Sequence, residues 1–353
     1  MDTTISRLPV VCFGLGPIGT SIAQCLSGRD DIEIVAAVDI DPLKQGKDLF
    51  AFFDDASSGN GTEPIRIRSE LPQRLAGSTP GVLVHATSSG LEQVAPQLNA
   101  AIDSGWNVVS TCEELNFPRA TNPEMAKRLD DAARKANISI LGAGINPGFL
   151  LDALVLTLTA VCTQVESISV RRVVDTNKRR LPLQRKAGVG LSEQAFRQLM
   201  ARNSIGHVGL RQSAYLVADQ LRWQIDGYEE TLEPVIAESG TVTEVGPVQP
   251  GDVLGQRQTA SLWSRGVQVL RYELQMSAGV AEVDSISIKG TPSFHQVIEG
   301  GINGDVGTQA TIANLVPLLP GAPSGLLTMA DILPLCCRDT RPVRKVLSAV
   351  IEK

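Results

Sequence analysis

The run Gly14-Leu15-Gly16-Pro17-Ile18-Gly19 directly follows an apolar stretch and directly precedes a run with helical spacing, and this context constrains the chain more than any other feature. In a strand-turn-helix unit the three glycines have separate duties. Gly14 permits the tight turn, Gly16 lets the backbone approach a diphosphate, and Gly19 lets the helix close on the strand. The free N–H groups at the helix head then face the anion. Gly14, Gly16, Pro17, Ile18 and Gly19 are therefore expected to hold the diphosphate of a dinucleotide. Asp39 ends the next apolar stretch, about twenty residues after the last glycine, where a carboxylate accepts hydrogen bonds from the adenosine ribose. It favours NAD. Asp39 and Asp41 would repel a 2′-phosphate, but Lys44 and Lys47 soften that repulsion, so NADP stays open.

The surrounding pattern agrees with this turn. Residues 9–13, 32–38, 82–85, 107–110 and 138–141 read as short, nearly continuous apolar strands. Residues 20–27, 90–104 and 123–135 read as helices between them. Strands of that kind, alternating with helices, predict an α/β Rossmann domain whose doubly wound parallel sheet is buried on both faces. Residues 53–63, rich in Asp, Ser and Gly, read as a surface loop. After Asn146-Pro147-Gly148 a helix is expected at 149–161, a strand at 167–174, and helices at 192–202 and 206–224. Alternating runs follow at 233–245, 256–263, 268–277 and 284–289, and a helix at 308–319. These predict a second α+β domain with a mostly antiparallel sheet. The expected division is 1–147 for the dinucleotide, 148–303 for substrate and dimerisation, and 304–353 as a segment returning to the first domain.

A chain of 353 residues with 43% hydrophobic content can fill two cores. The net charge of -6 is spread along the chain without basic runs, which argues against a nucleic-acid partner. The N-terminal residues lack an apolar signal core, and no stretch of about 18 apolar residues suggests a membrane span, so a soluble cytoplasmic protein is expected. The six cysteines show no metal-ligand spacing and are expected to be reduced and mostly buried.

Ligands of an open parallel sheet bind beyond the carboxyl ends of its strands. Three polar segments fall there. Ala86-Thr87-Ser88-Ser89-Gly90 offers Thr87 and Ser88 either to the cofactor or to the next helix as caps. Ser110-Thr111-Cys112-Glu113-Glu114 puts Thr111 and two carboxylates where a nicotinamide ring would end. Gly142-Ala143-Gly144-Ile145-Asn146-Pro147-Gly148 leads into the second domain and is expected to be both hinge and nicotinamide contact. A carboxylate beside a hydride acceptor can hold an ammonium group or carry the proton that expels ammonia. Of the histidines, His85 reads as a core residue and His207 as an exposed one, while His295, in a loop after a strand, is the best placed for substrate.

The chain resembles 2,4-diaminopentanoate dehydrogenase and the native amine dehydrogenases, which share a fold with dihydrodipicolinate reductase. The resemblance covers nearly the whole length. It rests on the glycine turn with Val38-Asp39-Ile40-Asp41-Pro42, on Ser110-Thr111-Cys112-Glu113-Glu114-Leu115 and Gly144-Ile145-Asn146-Pro147-Gly148-Phe149. It continues through Arg171-Arg172-Val173-Val174-Asp175, Gly304-Asp305-Val306-Gly307-Thr308 and Gly325-Leu326-Leu327-Thr328-Met329. What it implies is NAD(P)-dependent oxidative deamination of an amine to a ketone plus ammonia, reversible as reductive amination. By the same resemblance Glu113, in preference to Glu114, assists proton transfer at the amine. Asn146 lies by the nicotinamide and the substrate, and Arg172 and His295 face a substrate carboxylate. Where the family pattern has a histidine before Gly304, this chain has Asn303.

Arg171 and Arg172 are neighbours on a strand, so only one of them can enter a cleft. Two other kinds of protein share this glycine turn. A true dihydrodipicolinate reductase would carry a His-His pair and a Lys-x-Asp-Ala-Pro-Ser-Gly-Thr stretch, and neither is present. A dinucleotide-binding sensor without turnover would not need the polar segments at the sheet edge. A homodimer is expected from the long second sheet.

Overall fold

The computed structural model describes residues 7–54, 63–74, 79–332 and 334–338. Most of the expected loop at 53–63 lies outside the described residues, as does the end of the chain beyond 338. In the first part, β1 (Leu8–Phe13), α1 (Pro17–Ser27), β2 (Ile32–Val38), β3 (Ile67–Arg68), β4 (Val82–His85), α2 (Leu91–Asp103), β5 (Asn107–Ser110), α3 (Pro123–Ala136) and β6 (Ser139–Gly142) follow one another. The second part begins with α4 (Ala153–Thr159), β7 (Gln164–Asp175), α5 (Leu181–Lys186), α6 (Glu193–Ala201) and α7 (Leu210–Gln220). Strands β8 (Gly227–Ile236), β9 (Thr241–Thr243), β10 (Gly246–Val248), β11 (Val253–Ser264), β12 (Val267–Ser277), β13 (Val283–Thr291) and β14 (Phe294–Glu299) follow. The chain then forms α8 (Gly304–Leu315) and β15 (Gly325–Leu327).

The first sheet is wholly parallel, in the order β15-β6-β5-β4-β1-β2-β3. The chain leaves β1 for β2 on one side and then returns to β4 on the other, so the turn after β1 lies where the winding reverses. Every residue of β4, β5 and β6 is buried, as burial on both faces requires. One face packs Ile22 and Leu26 of α1 with Ile312 and Leu315 of α8 against Val10 and Leu141. The other packs Leu98 of α2 and Leu129 of α3 against Leu83, Val108 and Ile140. Each such side chain, taken fully out of water, contributes about 1.5–3 kcal/mol before the entropy of ordering is subtracted.

The second sheet runs β14-β13-β7-β12-β11-β8. Its neighbours are antiparallel except β7 with β12, which are parallel. Its inner face carries Tyr272, Leu274 and Ile286 against Val155, Leu210 and Val217 of α4 and α7. The fold is thus the expected Rossmann sheet with a mostly antiparallel α+β partner.

Several boundaries differ for local reasons. The helix expected from 149 starts at Ala153, because Asp152 caps it by accepting from the Ala153 N–H. The run expected as one strand at 233–245 breaks at Glu238-Ser239-Gly240 and becomes the end of β8 plus the β9/β10 hairpin. Cys12 and Cys112 are buried, but Cys25 and Cys162 are partly buried and Cys336 and Cys337 exposed, which corrects the expectation of mostly buried thiols. Among the described residues no helix is long and apolar enough to cross a membrane.

Candidate active site

The glycine turn has the form its sequence demands. Gly14 has φ +87, and a side chain there would strike the Ala86 carbonyl oxygen at 2.4 Å. A Cβ on Gly19 would lie 1.9 Å from the Gly14 carbonyl oxygen. At Gly16 no atom lies within 4 Å of that position, so the chain leaves the approach to the head of α1 open. Pro17 at the first helical position has no N–H to leave unpaired. Open space, free amides and a helix head together fit a diphosphate.

Asp39 stands at the end of β2 beside this turn. Its Oδ2 accepts from the Leu15 N–H at 2.8 Å and from Lys44 Nζ at 3.0 Å, and its Oδ1 accepts from the Asp41 N–H at 2.8 Å. Burial alone would raise this carboxyl, but the hydrogen bonds from Asp41, Lys44 and Leu15 outweigh it and hold it below its ordinary value. Lys44 also donates to the Leu15 carbonyl at 2.9 Å, which fixes a cation beside the ribose position.

From the turn a cleft of about 400 Å³ runs between the two domains. Its near wall holds Gly16, Pro17, Ile18, Gly19, Thr87, Ser88 and Thr111, and its middle holds Glu113, Asn146 and His207. The far wall is the inner face of the second sheet, with Arg172, Gln256 and Met276, together with α5 and the head of α8. Thr87 donates to Gln97 at 2.7 Å, and Ser88 donates to Gln93, so both hydroxyls at the end of β4 are tied to α2. His85 is a core residue, bonded to Ser110 at 2.8 Å and to Gln97 at 2.7 Å.

The adjacent glutamates separate. Glu114 accepts from the Leu91 N–H at 2.7 Å and so caps α2, beside the positive end of that helix. Glu113 opens a short 3₁₀ turn, Glu113–Asn116, and lines the cleft. Its Oε2 is buried with no hydrogen-bond partner among the described residues, and the same holds for Asn146 Oδ1 and Gln256 Oε1. A buried acceptor without a donor costs about 1–3 kcal/mol. Three such acceptors on one cleft call for a ligand rich in N–H groups.

His207 was expected to be exposed at a helix start. Instead it lies in the cleft, in the loop before α7, and its Nε2 is 3.1 Å from Asn146 Nδ2. The Gln258 side chain grips its backbone, accepting from the N–H at 2.7 Å and donating to the carbonyl at 2.9 Å. Burial lowers its pKa to about 4, against the pull of nearby Glu113, so the ring is neutral near pH 7. The flanking Gly206 and Gly209, both at positive φ, were the signal in the sequence for a tightly folded loop here.

Two expected site residues are placed differently. Arg172 does border the cleft, but its Nη1 donates to both oxygens of Asp284 at 2.9 Å and its Nη2 to the Ile302 carbonyl at 2.8 Å. Its charge is already paired with Asp284, which leaves a substrate carboxylate only the guanidinium N–H groups these bonds do not use. Arg171 points to the other face and pairs with Glu273 at 3.1 Å. His295 lies not in a loop but on edge strand β14, in register with Ser287 and through it with Ser169. Ser169 and Arg172 differ by an odd number of positions on β7, so His295 is on the opposite face from the cleft. It bonds Ser287 Oγ at 2.7 Å there. Asn303 caps α8, accepting from the N–H groups of Asp305 and Val306 at 3.0 and 3.1 Å.

Comparison with known proteins adds to this geometry. Residues 149–346 match the family model described as the 2,4-diaminopentanoate dehydrogenase C-terminal domain. A curated 2,4-diaminopentanoate dehydrogenase from Acetoanaerobium sticklandii is 27% identical over 336 residues, covering 93% of this chain and 94% of its own. The solved structure of an amine dehydrogenase from Mycobacterium smegmatis has a TM-score of 0.80 at 21% identity, covering 94% of this chain and 98% of its own. A myo-inositol 2-dehydrogenase from Lactobacillus plantarum shares the fold more distantly, with a TM-score of 0.52 at 11% identity over 92% of this chain and 93% of its own. The family model spans more than half of the chain, the curated relative aligns almost end to end, and the dehydrogenase turn stands intact at the head of α1. The chain therefore belongs to the 2,4-diaminopentanoate dehydrogenase family and is an oxidoreductase of the amine dehydrogenase kind.

Proposed function

We propose that this enzyme oxidatively deaminates 2,4-diaminopentanoate or a similar small amine to the ketone and ammonia, with NAD as the preferred dinucleotide, and runs in reverse as a reductive aminase. The observation that carries this reading is the pair of unpartnered acceptors, Glu113 Oε2 and Asn146 Oδ1, in the cleft that begins at the phosphate turn. An amine or ammonia presents only N–H donors and one lone pair, so it suits a site with acceptors to spare.

The diphosphate would lie on the amides at the head of α1 and the ribose at Asp39, with Thr87, Ser88 and Thr111 along the nicotinamide half. A dinucleotide held there would supply the hydride acceptor for the amine-bearing carbon. The remaining work belongs to the protein. Glu113 Oε2 takes the proton that the ammonium must lose before its carbon can give up hydride. Once that proton has passed to solvent, the same oxygen deprotonates the water that attacks the iminium carbon and hands this proton to the amine nitrogen, so that ammonia leaves as the new C–O bond becomes the carbonyl and its hydroxyl proton is released. Asn146 orients the nitrogen through Oδ1, while His207 accepts from Asn146 Nδ2 and so keeps that amide oxygen turned to the cleft.

For a substrate carboxylate the far wall offers Lys186, which lines the cleft, is exposed, and has no ion-pair partner among the described residues. Arg180 beside it is partly engaged by Asp305 at 2.9 Å. A lone lysine in the site would repel a simple ammonium substrate and attract one carrying an acid group. NADP remains a second cofactor in this reading, because Lys44 offsets part of the Asp39 charge. We place the protein in the cytoplasm as a homodimer. In that homodimer the pairing face would be the outer face of the second sheet, where Ser169, Arg171, Arg257, Arg271 and His295 are exposed. A panel of amines and ketones assayed with both dinucleotides tests the proposal. It fails if no amine yields NADH or NADPH.

A further inference from the structure

Asp152 has no task in the reading above, although it is 0% exposed. Its Oδ2 accepts from Asn116 Nδ2 at 2.9 Å, from the Gly148 N–H at 2.9 Å and from Ser213 Oγ at 2.8 Å. Its Oδ1 accepts from the Ala153 N–H at 2.7 Å. No Lys, Arg or His pairs with it among the described residues, so these four donors alone offset the cost of burying a carboxylate. Burial pushes its carboxyl above the ordinary value while the four hydrogen bonds draw it back. Capping α4 needs only the Ala153 bond, and any Ser or Asn could supply that.

The three donors to Oδ2 share something else. Asn116 closes the 3₁₀ turn that Glu113 opens. Gly148 follows Asn146 by two residues. Ser213 sits in α7, whose leading loop carries His207 and packs Gly209 against Pro147 so closely that a Cβ there would lie 2.5 Å from the proline ring. One oxygen atom therefore ties together three segments, and each of them presents one group to the middle of the cleft.

We propose that Asp152 is a positioning residue, whose single buried oxygen fixes Glu113, Asn146 and His207 relative to one another across the seam between the two domains. This rests on the reading that Glu113 handles the amine. Its physical basis is that a misplacement of about 1 Å at a reacting group costs about a hundredfold in rate.

The test removes one arm of the hub. Asn116→Ala takes away the tie to the Glu113 turn and leaves Asp152 three donors. In the full-length enzyme, kcat for amine oxidation should fall about tenfold to a hundredfold, with the amine KM and NADH affinity within about twofold. In a Glu113→Gln background, followed by single-turnover assay, the same change should cost nothing further, because the group it positions has gone. Should Asn116→Ala fold poorly, Asn116→Ser carries the same comparison with less lost volume. A purely structural role predicts that the two losses multiply, or that activity falls only in step with thermal stability, and either result overturns the proposal. If Glu113→Gln alone keeps full turnover, the Glu113 reading fails on its own evidence, and an unaltered kcat in Asn116→Ala would then remove Asp152 as well.

Discussion

The two walls of the cleft are built in different ways. On the nucleotide side the contacts are short in sequence and follow from strand order: Asp39 reaches Leu15 across 24 residues and Glu114 reaches Leu91 across 23. On the far side they span the second domain, with Arg172 bonded to Asp284 across 112 residues and Arg179 to Glu282 across 103. The near wall is a general device for holding a dinucleotide. The far wall depends on the register of strands that meet only when the whole domain has folded, so it is where one relative can come to differ from another in substrate.

The largest effect is expected from Glu113→Gln, which should lower turnover by about 10²–10⁴-fold with dinucleotide affinity unchanged. Its neighbour gives the contrast. Glu114→Gln should cost about 1 kcal/mol of stability through the weakened cap and leave turnover within a few fold, as thermal melts and steady-state rates would reveal. Equal losses in both variants would erase the distinction drawn between the two carboxylates.

On the far wall, Arg172→Met should destabilise the fold by about 3–5 kcal/mol, because Asp284 is left buried and unpaired. Changing Asp284→Leu at the same time should recover most of that in denaturant titrations. If Arg172→Met instead spares stability and raises the substrate KM, Arg172 belongs to substrate after all. Next in size, Asp39→Ala should shift the ratio of NAD to NADP efficiency about tenfold toward NADP, since a hydrogen bond to a charged group is worth about 1.5–3 kcal/mol. Lys186→Ala should raise KM up to about fivefold for carboxylated amines and leave neutral amines alone, as suits a partly solvated pair. A uniform change across both classes would remove Lys186 from recognition.

The smallest expected effect concerns pH. His207 is held neutral in the fold down to about 4, below its ordinary 6.5. The unfolded chain therefore takes up a proton at this position before the folded one does. Its contribution is intact above pH 6.5 and is lost as pH falls toward 4. The melting temperature should decline less over that window in His207→Gln than in the unaltered enzyme.

What the sequence disclosed follows the same division. The near wall was legible because the glycine turn, Asp39 and the polar segments after β4, β5 and β6 each lie within a few residues of an apolar strand, and the order of such strands places them. The short strands β3 and β15 escaped notice, since two or three residues carry no periodicity. The part of β14 that carries His295 reads as loop in the sequence, since Pro292 precedes it and its burial only alternates between partial and none. Alternation also says nothing of direction, so the parallel pairing of β7 with β12 could not be read from it. His295 was misplaced for want of register, and His207 was missed because its burial comes from Asn146 and Gln258, distant in sequence.

Strand β15 completes the first sheet from residues 325–327, and α8 packs over α1 just before it. A ribosome making this chain would thus release the coenzyme-holding half unfinished, with the flank of β6 bare and the apolar side of α1 uncovered, until residues 304–327 emerged. A gene fragment ending near residue 147 would inherit the same gap. The first half of this polypeptide is accordingly no portable cassette: its closing piece is spelled by residues 304–327.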